Sequence, residues 1–200
     1  MKFLLVFLIL CMELTADEGP NPNEVTIQNI AYSGSGCPAG SVAQSLSPDA
    51  KAFTLLFDSY IVEAGPGSSH HSRKNCRIAV SMRFPAGWSF TVFSADFRGY
   101  ARLDPGARGE LRTNYFFDGH GPALKSKMAG PFDDDYQVRD TLIGDVHAWS
   151  PCKRLRPLTL DTVMSAQASG KQKALLTIDS VDGEIAHTYR IRWRKCQEGR

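Results

Sequence analysis

The chain has 200 residues, 42% of them apolar and 22% charged, with a formal net charge of +2. That apolar content suffices for one packed domain, or at most two small ones, and exceeds what a disordered chain carries. The near-neutral balance gives no bulk electrostatic argument for a nucleic-acid partner or for an acidic surface.

Residues 1–16 open on Met1-Lys2 and continue as a short apolar run through Met12. The run is too short to span a bilayer and has the form of a secretory signal. Thr15 or Ala16 is the cleavage point, although Leu14 stands where a small residue is preferred. Cleavage removes Lys2 and Glu13, one charge of each sign, so the net charge stays at +2. No later stretch is long and apolar enough to cross a membrane, and no integral membrane association is expected. Residues 17–24 are polar, with Pro20 and Pro22, and read as a loose mature N-terminus. Residues 25–200 read as a single domain.

Four cysteines remain beyond the leader: Cys37, Cys76, Cys152 and Cys196. An even number in an exported chain points to two disulfides. Three pairings are possible. Cys37–Cys76 with Cys152–Cys196 is favoured, with one bridge in each half, each closing a loop of about 40 residues worth roughly 4 kcal/mol in the chain-entropy picture. Zinc is disfavoured, because there is no Cys-x-x-Cys pair and the histidines lie far from the cysteines.

Val25, Ile27 and Ile30 mark a first strand, followed by the glycine-rich stretch Gly34 to Gly40 around Cys37. A phosphate cradle would need a lysine and a following helix, and this stretch has neither. Ser41–Leu46 and Ala52–Phe57 read as two short strands about a turn at Ser47-Pro48-Asp49, with Asp58 to Val62 continuing the second. Residues 64–75 read as an exposed loop with His70-His71 at its tip. Asn75 to Asp104 carries the strongest local pattern. Cys76, Ile78, Val80, Met82 and Phe84 alternate with polar residues, as do Trp88, Phe90 and Val92, and Pro85-Ala86-Gly87 supplies turn chemistry between them. The expectation is a β-hairpin pairing Phe84 with Trp88, Met82 with Phe90 and Val80 with Val92. Gly99 is the point at which a bend could let one segment serve two sheets.

Further strands are expected at 110–117, 136–143, 158–166, 174–178 and 185–193, while 124–132 is ambiguous. In the last strand Tyr189, Ile191 and Trp193 share one face and Arg190, Arg192 and Arg194 the other. Ten or so short strands between Gly, Pro and Asp turns, with no amphipathic helix, indicate an all-β antiparallel sandwich or jelly roll.

Several motifs, taken in order, resemble those of a known family. They are Gly34-Ser35-Gly36-Cys37-Pro38, Phe53-Thr54-Leu55 with Phe57-Asp58-Ser59-Tyr60, Arg73-Lys74-Asn75-Cys76, Arg98-Gly99-Tyr100-Ala101 and Trp149-Ser150-Pro151-Cys152. The family consists of small secreted proteins, best known from fungi, and is catalogued as domain of unknown function 4360. The resemblance spans roughly Val25 to Cys196. It implies an exported chain with these four cysteines bridged, and implies no activity.

The candidate chemistry is sparse. No Gly-x-Ser-x-Gly occurs, so Gly65-Pro66-Gly67-Ser68 is not a nucleophile elbow. Asp58, Asp96, Asp104 and Asp118 are the candidates for a glycosidase carboxylate pair. Asp133-Asp134-Asp135 could hold calcium from a loop, although the spacing of a calcium loop is absent. Otherwise no cofactor is expected. Arg190, Arg192 and Arg194 form a row suited to anionic polymers. The reading is a secreted, monomeric, non-catalytic binding or structural protein facing cell-wall glycan or a host or cell-wall protein. The alternative is a polysaccharide hydrolase using a carboxylate pair.

Overall fold

The computed structural model describes residues 19–119, 121–141, 148–152, 154–178 and 187–197. The leader over 1–16 lies outside them. Among the described residues twelve strands follow one another: β1 Thr26–Ser33, β2 Val42–Leu46, β3 Ala52–Phe57, β4 Ile61–Ala64, β5 His71–Arg83, β6 Trp88–Leu103, β7 Arg108–Phe116, β8 Ala123–Ala129, β9 Phe132–Thr141, β10 Leu158–Gln167, β11 Ala174–Thr177 and β12 His187–Lys195. No α-helix occurs among the described residues. The strands form two antiparallel sheets. A five-stranded sheet has the order β1-β5-β10-β7-β8. A seven-stranded sheet runs β2-β3-β12-β6-β11-β4, with β9 also paired to β6.

Alternation decides which residues go between the layers. Cys76, Ile78, Val80 and Met82 of β5 are buried, as are Leu158, Leu160 and Met164 of β10. Phe90, Val92 and Phe97 of β6 and Tyr189, Ile191 and Trp193 of β12 face them. The interior is rich in rings: Phe53 stacks on Tyr189 at 4.8 Å, and Phe90 meets Phe117 edge-on at 5.1 Å. Tyr60 links the layers through its hydroxyl, which donates to the Thr162 carbonyl at 2.9 Å.

The expected β5–β6 hairpin is corrected. β5 pairs with β1 and β10, whereas β6 pairs with β12, β11 and β9. Residues 84–87 form an arch between sheets, with Gly87 at φ 83°. The apolar faces read from the sequence do meet, but across the core and not within one sheet. Alternation is the same in both arrangements, and it is the second layer that selects between them.

The irregularity in β6 also lies elsewhere than Gly99. Arg190 is opposite Ser94 while Ile191 is opposite Val92, so Phe93 is an extra residue, a bulge. The strand stays in one sheet throughout. Gly99 serves a close approach instead: a β-carbon there would lie 2.0 Å from the Thr177 carbonyl oxygen and 2.6 Å from the Tyr136 hydroxyl. Three further expectations shift. Asp58 to Tyr60 interrupt the run after β3, so β4 is separate and pairs with β11. The loop placed over 64–75 ends earlier, because β5 begins at His71. β9 begins at Phe132, which puts Asp133–Asp135 in a strand. At the N-terminus, Pro22–Glu24 form a 3-10 turn and Pro20 and Val25 are buried.

Two disulfides, Cys37–Cys76 and Cys152–Cys196, join segments 39 and 44 residues apart. His187 is fully buried between Phe57 and Phe97, with Nδ1 3.3 Å from the Tyr189 hydroxyl. Burial pushes its imidazole down to about 3.

Two outcomes follow from this packing. Gly99→Ala is expected to cost about 1–3 kcal/mol by overpacking, read as a lower urea midpoint. Because the folded His187 titrates far below an unfolded histidine, its contribution is present above pH ~6.5 and is lost as pH falls toward 3, by up to ~1.4 kcal/mol per pH unit. His187→Phe removes that loss, so its stability relative to the parent should rise between pH ~7 and ~4.5 in urea titrations. A constant difference over that range would disprove the assignment.

Candidate functional site

The outer face of the five-stranded sheet is built by register. Gln167 of β10 lies between His71 and Arg108, Ser165 between Arg73 and Glu110, and Val163 between Asn75 and Arg112. β8 adds Lys127 beside Glu110 and Lys125 beside Arg112. The result is a trough of about 670 Å3 running along β10. Its floor is Val163, Ser165 and Gln167, which carry no charge. Arg73 stands on one side, and Arg108, Arg112 and Lys127 on the other.

Glu110 is held by Lys125 at 3.1 Å, and further along the sheet Arg77 holds Asp161 at 2.9 Å. Arg73, Arg108, Arg112 and Lys127 have no carboxylate partner among the described residues, and all four are exposed. Arg108 and Arg112 lie four residues apart on one strand, ~13 Å at the strand rise. Such an array can take an extended anion, because guanidinium groups donate to carboxylate, sulfate or phosphate oxygens in bidentate fashion.

Sequence reasoning missed this trough. The sequence pattern places His71 and Arg73 in a loop, and the other cations come from two different strands. The available signal was the pair Arg108 and Arg112 with Arg73 and Lys127, each at outward parity on its own strand.

The arginine row expected on the last strand lies on the outer face of the seven-stranded sheet. Arg190 is bound to Asp96, Nη1 to Oδ2 at 2.5 Å, and Arg139 of β9 donates from Nε to Oδ1 at 2.6 Å. Asp96 is 4% exposed. Burial alone would raise its carboxyl, but the two guanidinium groups outweigh that and hold it below the usual carboxylate range. Arg192 and Arg194 have aromatic partners: Arg192 lies 4.8 Å over Phe93, and Arg194 lies 4.0 Å over Trp149. The row is therefore one ion-paired arginine and two that lie over aromatic rings.

The acidic candidates have separate duties. Asp104 accepts from the Lys173 amide at 2.8 Å and closes a turn. Asp118 lies 3.9 Å from Arg154 and 3.7 Å from Arg156. Asp58 is an exposed residue after β3. Asp96 and Asp104 are eight residues apart along β6 and its end, ~26 Å at the strand rise. Asp133 bonds the Tyr100 hydroxyl and faces Arg102 at 3.8 Å, and Asp134 accepts from the Asp135 amide. Among the described residues no group of three or more His, Cys, Asp and Glu could hold a metal ion. Nor is any helix among them long and apolar enough to cross a membrane.

Comparison with known proteins decides the family. Residues 23–196 match the family described as a domain of unknown function, DUF4360. The chain belongs to this family. An uncharacterized secreted protein of Arthroderma benhamiae is 36% identical over 192 residues, covering 92% of this chain and 78% of that protein. The DUF4360 chain is accordingly a secreted protein. Among solved structures, a carbohydrate-binding module, TmCBM61 with β-1,4-galactotriose, aligns over 85% of this chain and 90% of its own. It does so at 7% identity and a TM-score of 0.31. The enzymatically active domain of bacteriophage CBA120 tailspike protein 4 aligns over 89% of this chain and 21% of its own, at 10% identity and TM-score 0.29. Neither likeness is close enough to carry an argument.

Asp96 offers a test of the charged cluster. Asp96→Ala leaves two arginines facing each other and should lose roughly 2 kcal/mol at neutral pH. A carboxyl depressed by folding stabilises above its unfolded value near 4 and ceases to do so as pH falls through its folded value. The gap between parent and variant should therefore narrow in acid, measured by urea unfolding at pH ~7 and ~2.5.

Proposed function

We propose that this secreted protein is a non-catalytic binding protein of the extracellular space whose ligand is an anionic glycan lying along β10. The supporting observation is the trough: four cations without carboxylate partners rise on both sides of an uncharged floor. A strand floor with residues at ~7 Å intervals suits an extended polymer. Ser165 and Gln167 offer hydrogen bonds to hydroxyls, and Val163 offers an apolar step. Acidic groups on the sugar then meet Arg73 on one wall and Arg108, Arg112 or Lys127 on the other. Because these cations are exposed, each contact contributes modestly, ~0.2–1 kcal/mol, and is screened by salt.

This reading favours binding over hydrolysis, because Glu110, the one carboxylate in the trough, is already engaged by Lys125. The experiment is retention of the mature protein on immobilised polyuronate. An Arg73→Ser/Arg108→Ser/Arg112→Ser variant should bind about three- to a hundredfold more weakly, as the sum of three such contacts implies. Its melting temperature should be unchanged, since all three side chains are exposed. Retention equal to the parent's at low salt would disprove the proposal.

A further inference from the structure

The seven-stranded sheet carries a second cationic surface on the opposite side of the molecule. Arg192 and Arg194 alternate along β12, so both point outward and stand ~7 Å apart. Each guanidinium lies over a ring, Arg192 at 4.8 Å from the Phe93 centroid and Arg194 at 4.0 Å from that of Trp149. Lys195 adds a third such contact, with its ammonium 5.3 Å over Trp88. A guanidinium held over a ring by cation–π attraction, with five N–H donors in all, keeps donors for an anion. Neither Arg192 nor Arg194 has a carboxylate partner among the described residues. Stacking also restricts the side chains before a ligand arrives, so less freedom is lost on binding.

These rings are held by the fold. Ser150 accepts from Phe90 N–H through its hydroxyl at 2.9 Å and donates its own amide to the Phe90 carbonyl at 2.8 Å. The Ser89 and Thr91 hydroxyls donate to the Ser150 and Ala148 carbonyls. Next to Trp149, Cys152 is bridged to Cys196 at the end of β12. The segment carrying Trp149 is therefore fixed to β6 and, through the disulfide, to the end of β12, the strand that presents both arginines.

We infer that the protein is bivalent and bridges two strands of anionic glycan, one in the trough over β10 and a second on the Arg192/Arg194 surface. The inference rests on the binding reading above. The two surfaces lie on the outer sides of a two-layer sandwich, where one straight polymer segment cannot touch both. Bridging then links separate chains, and a small protein becomes a cross-link.

The test uses the mature disulfide-bonded protein, beads coated with polyuronate and a fluorescent soluble polyuronate. The parent should capture the soluble polymer onto the beads. Arg73→Ser/Arg108→Ser/Arg112→Ser and Arg192→Ser/Arg194→Ser should each still bind the beads, yet lose capture about tenfold or more, because avidity needs both sites. Arg98→Ser/Arg102→Ser, which removes two exposed cations ~20 Å and more along β6 from the level of Arg192 and on the side of the molecule away from the trough, should capture like the parent. Titration of the unaltered protein with a short oligouronate should give two equivalents, a measurement that needs no variant to fold. One equivalent, or bead binding without capture, overturns the bridge and leaves the glycan-binding reading standing. Capture undiminished in either surface variant also overturns the bridge. No binding to the beads at all overturns both.

Discussion

The bulge at Phe93 sets the orientation of the central strand. β6 has sixteen residues, and uninterrupted alternation from Phe90 would carry Ser94 and Asp96 into the core and Ala95 and Phe97 out of it. The extra residue reverses the parity, so that Ala95, Phe97, Ala101 and Leu103 are buried with Phe90 and Val92. It also delivers Asp96 to the outer face where β12 and β9 flank β6, within reach of Arg190 from one side and Arg139 from the other. A carboxylate so little exposed would be costly alone. Here two charge-assisted bonds satisfy it, one to each oxygen, and tie three strands together.

The second constraint is passage between layers. The chain leaves one sheet for the other at the arch over 84–87, and the Cys196 amide donates to the Gly87 carbonyl at 2.8 Å. Under the arch, Phe84 meets Phe90 at 5.5 Å and Trp193 at 5.3 Å. Both disulfides serve similar passages. Cys37 lies in the connection from β1 to β2 and Cys152 in the connection from β9 to β10, each of which changes sheet. Crossing segments have few ladder bonds of their own, so a covalent tie there restrains the chain where hydrogen bonding restrains it least.

Local periodicity was legible in the sequence, and pairing was not. The alternation of Cys76 to Met82 and of Tyr189 to Trp193 correctly named the buried faces. It could not tell a hairpin from an arch, because Pro85-Ala86-Gly87 suits either connection and the partner strands β10 and β12 are distant in sequence. The arginine row was legible for the same reason. Its neighbour was not: Asp96 precedes Arg190 by 94 residues and faces outward because of a bulge that alternation does not announce. The trough was the least legible of all. Its cations come from β5, β7 and β8, with the uncharged Val163, Ser165 and Gln167 of β10 between them, so no window of sequence shows a cluster. Only the sheet order brings Arg73 opposite Arg108 and Arg112.

That dispersal bears on what a net charge can say. A sum of +2 describes the field far from the molecule, whereas a bound polymer senses charges within a Debye length, about 8 Å at physiological salt. Packed sheets lie ~10 Å apart, and side chains extend the distance between the outer surfaces further. Each face thus presents its own field, largely screened from the other. On one face, Glu110 and Asp161 are matched by Lys125 and Arg77, leaving Arg73, Arg108, Arg112 and Lys127 in excess. On the other, Asp96 is shared by two arginines, leaving Arg192 and Arg194 on their rings. Acids elsewhere, such as Asp49 and Asp58 beside β3 and Asp104 and Asp118 at the ends of β6 and β7, balance the total without entering either surface. A chain that is nearly neutral overall can therefore present a cationic surface on each side, and the quantity that governs its partners is charge per face.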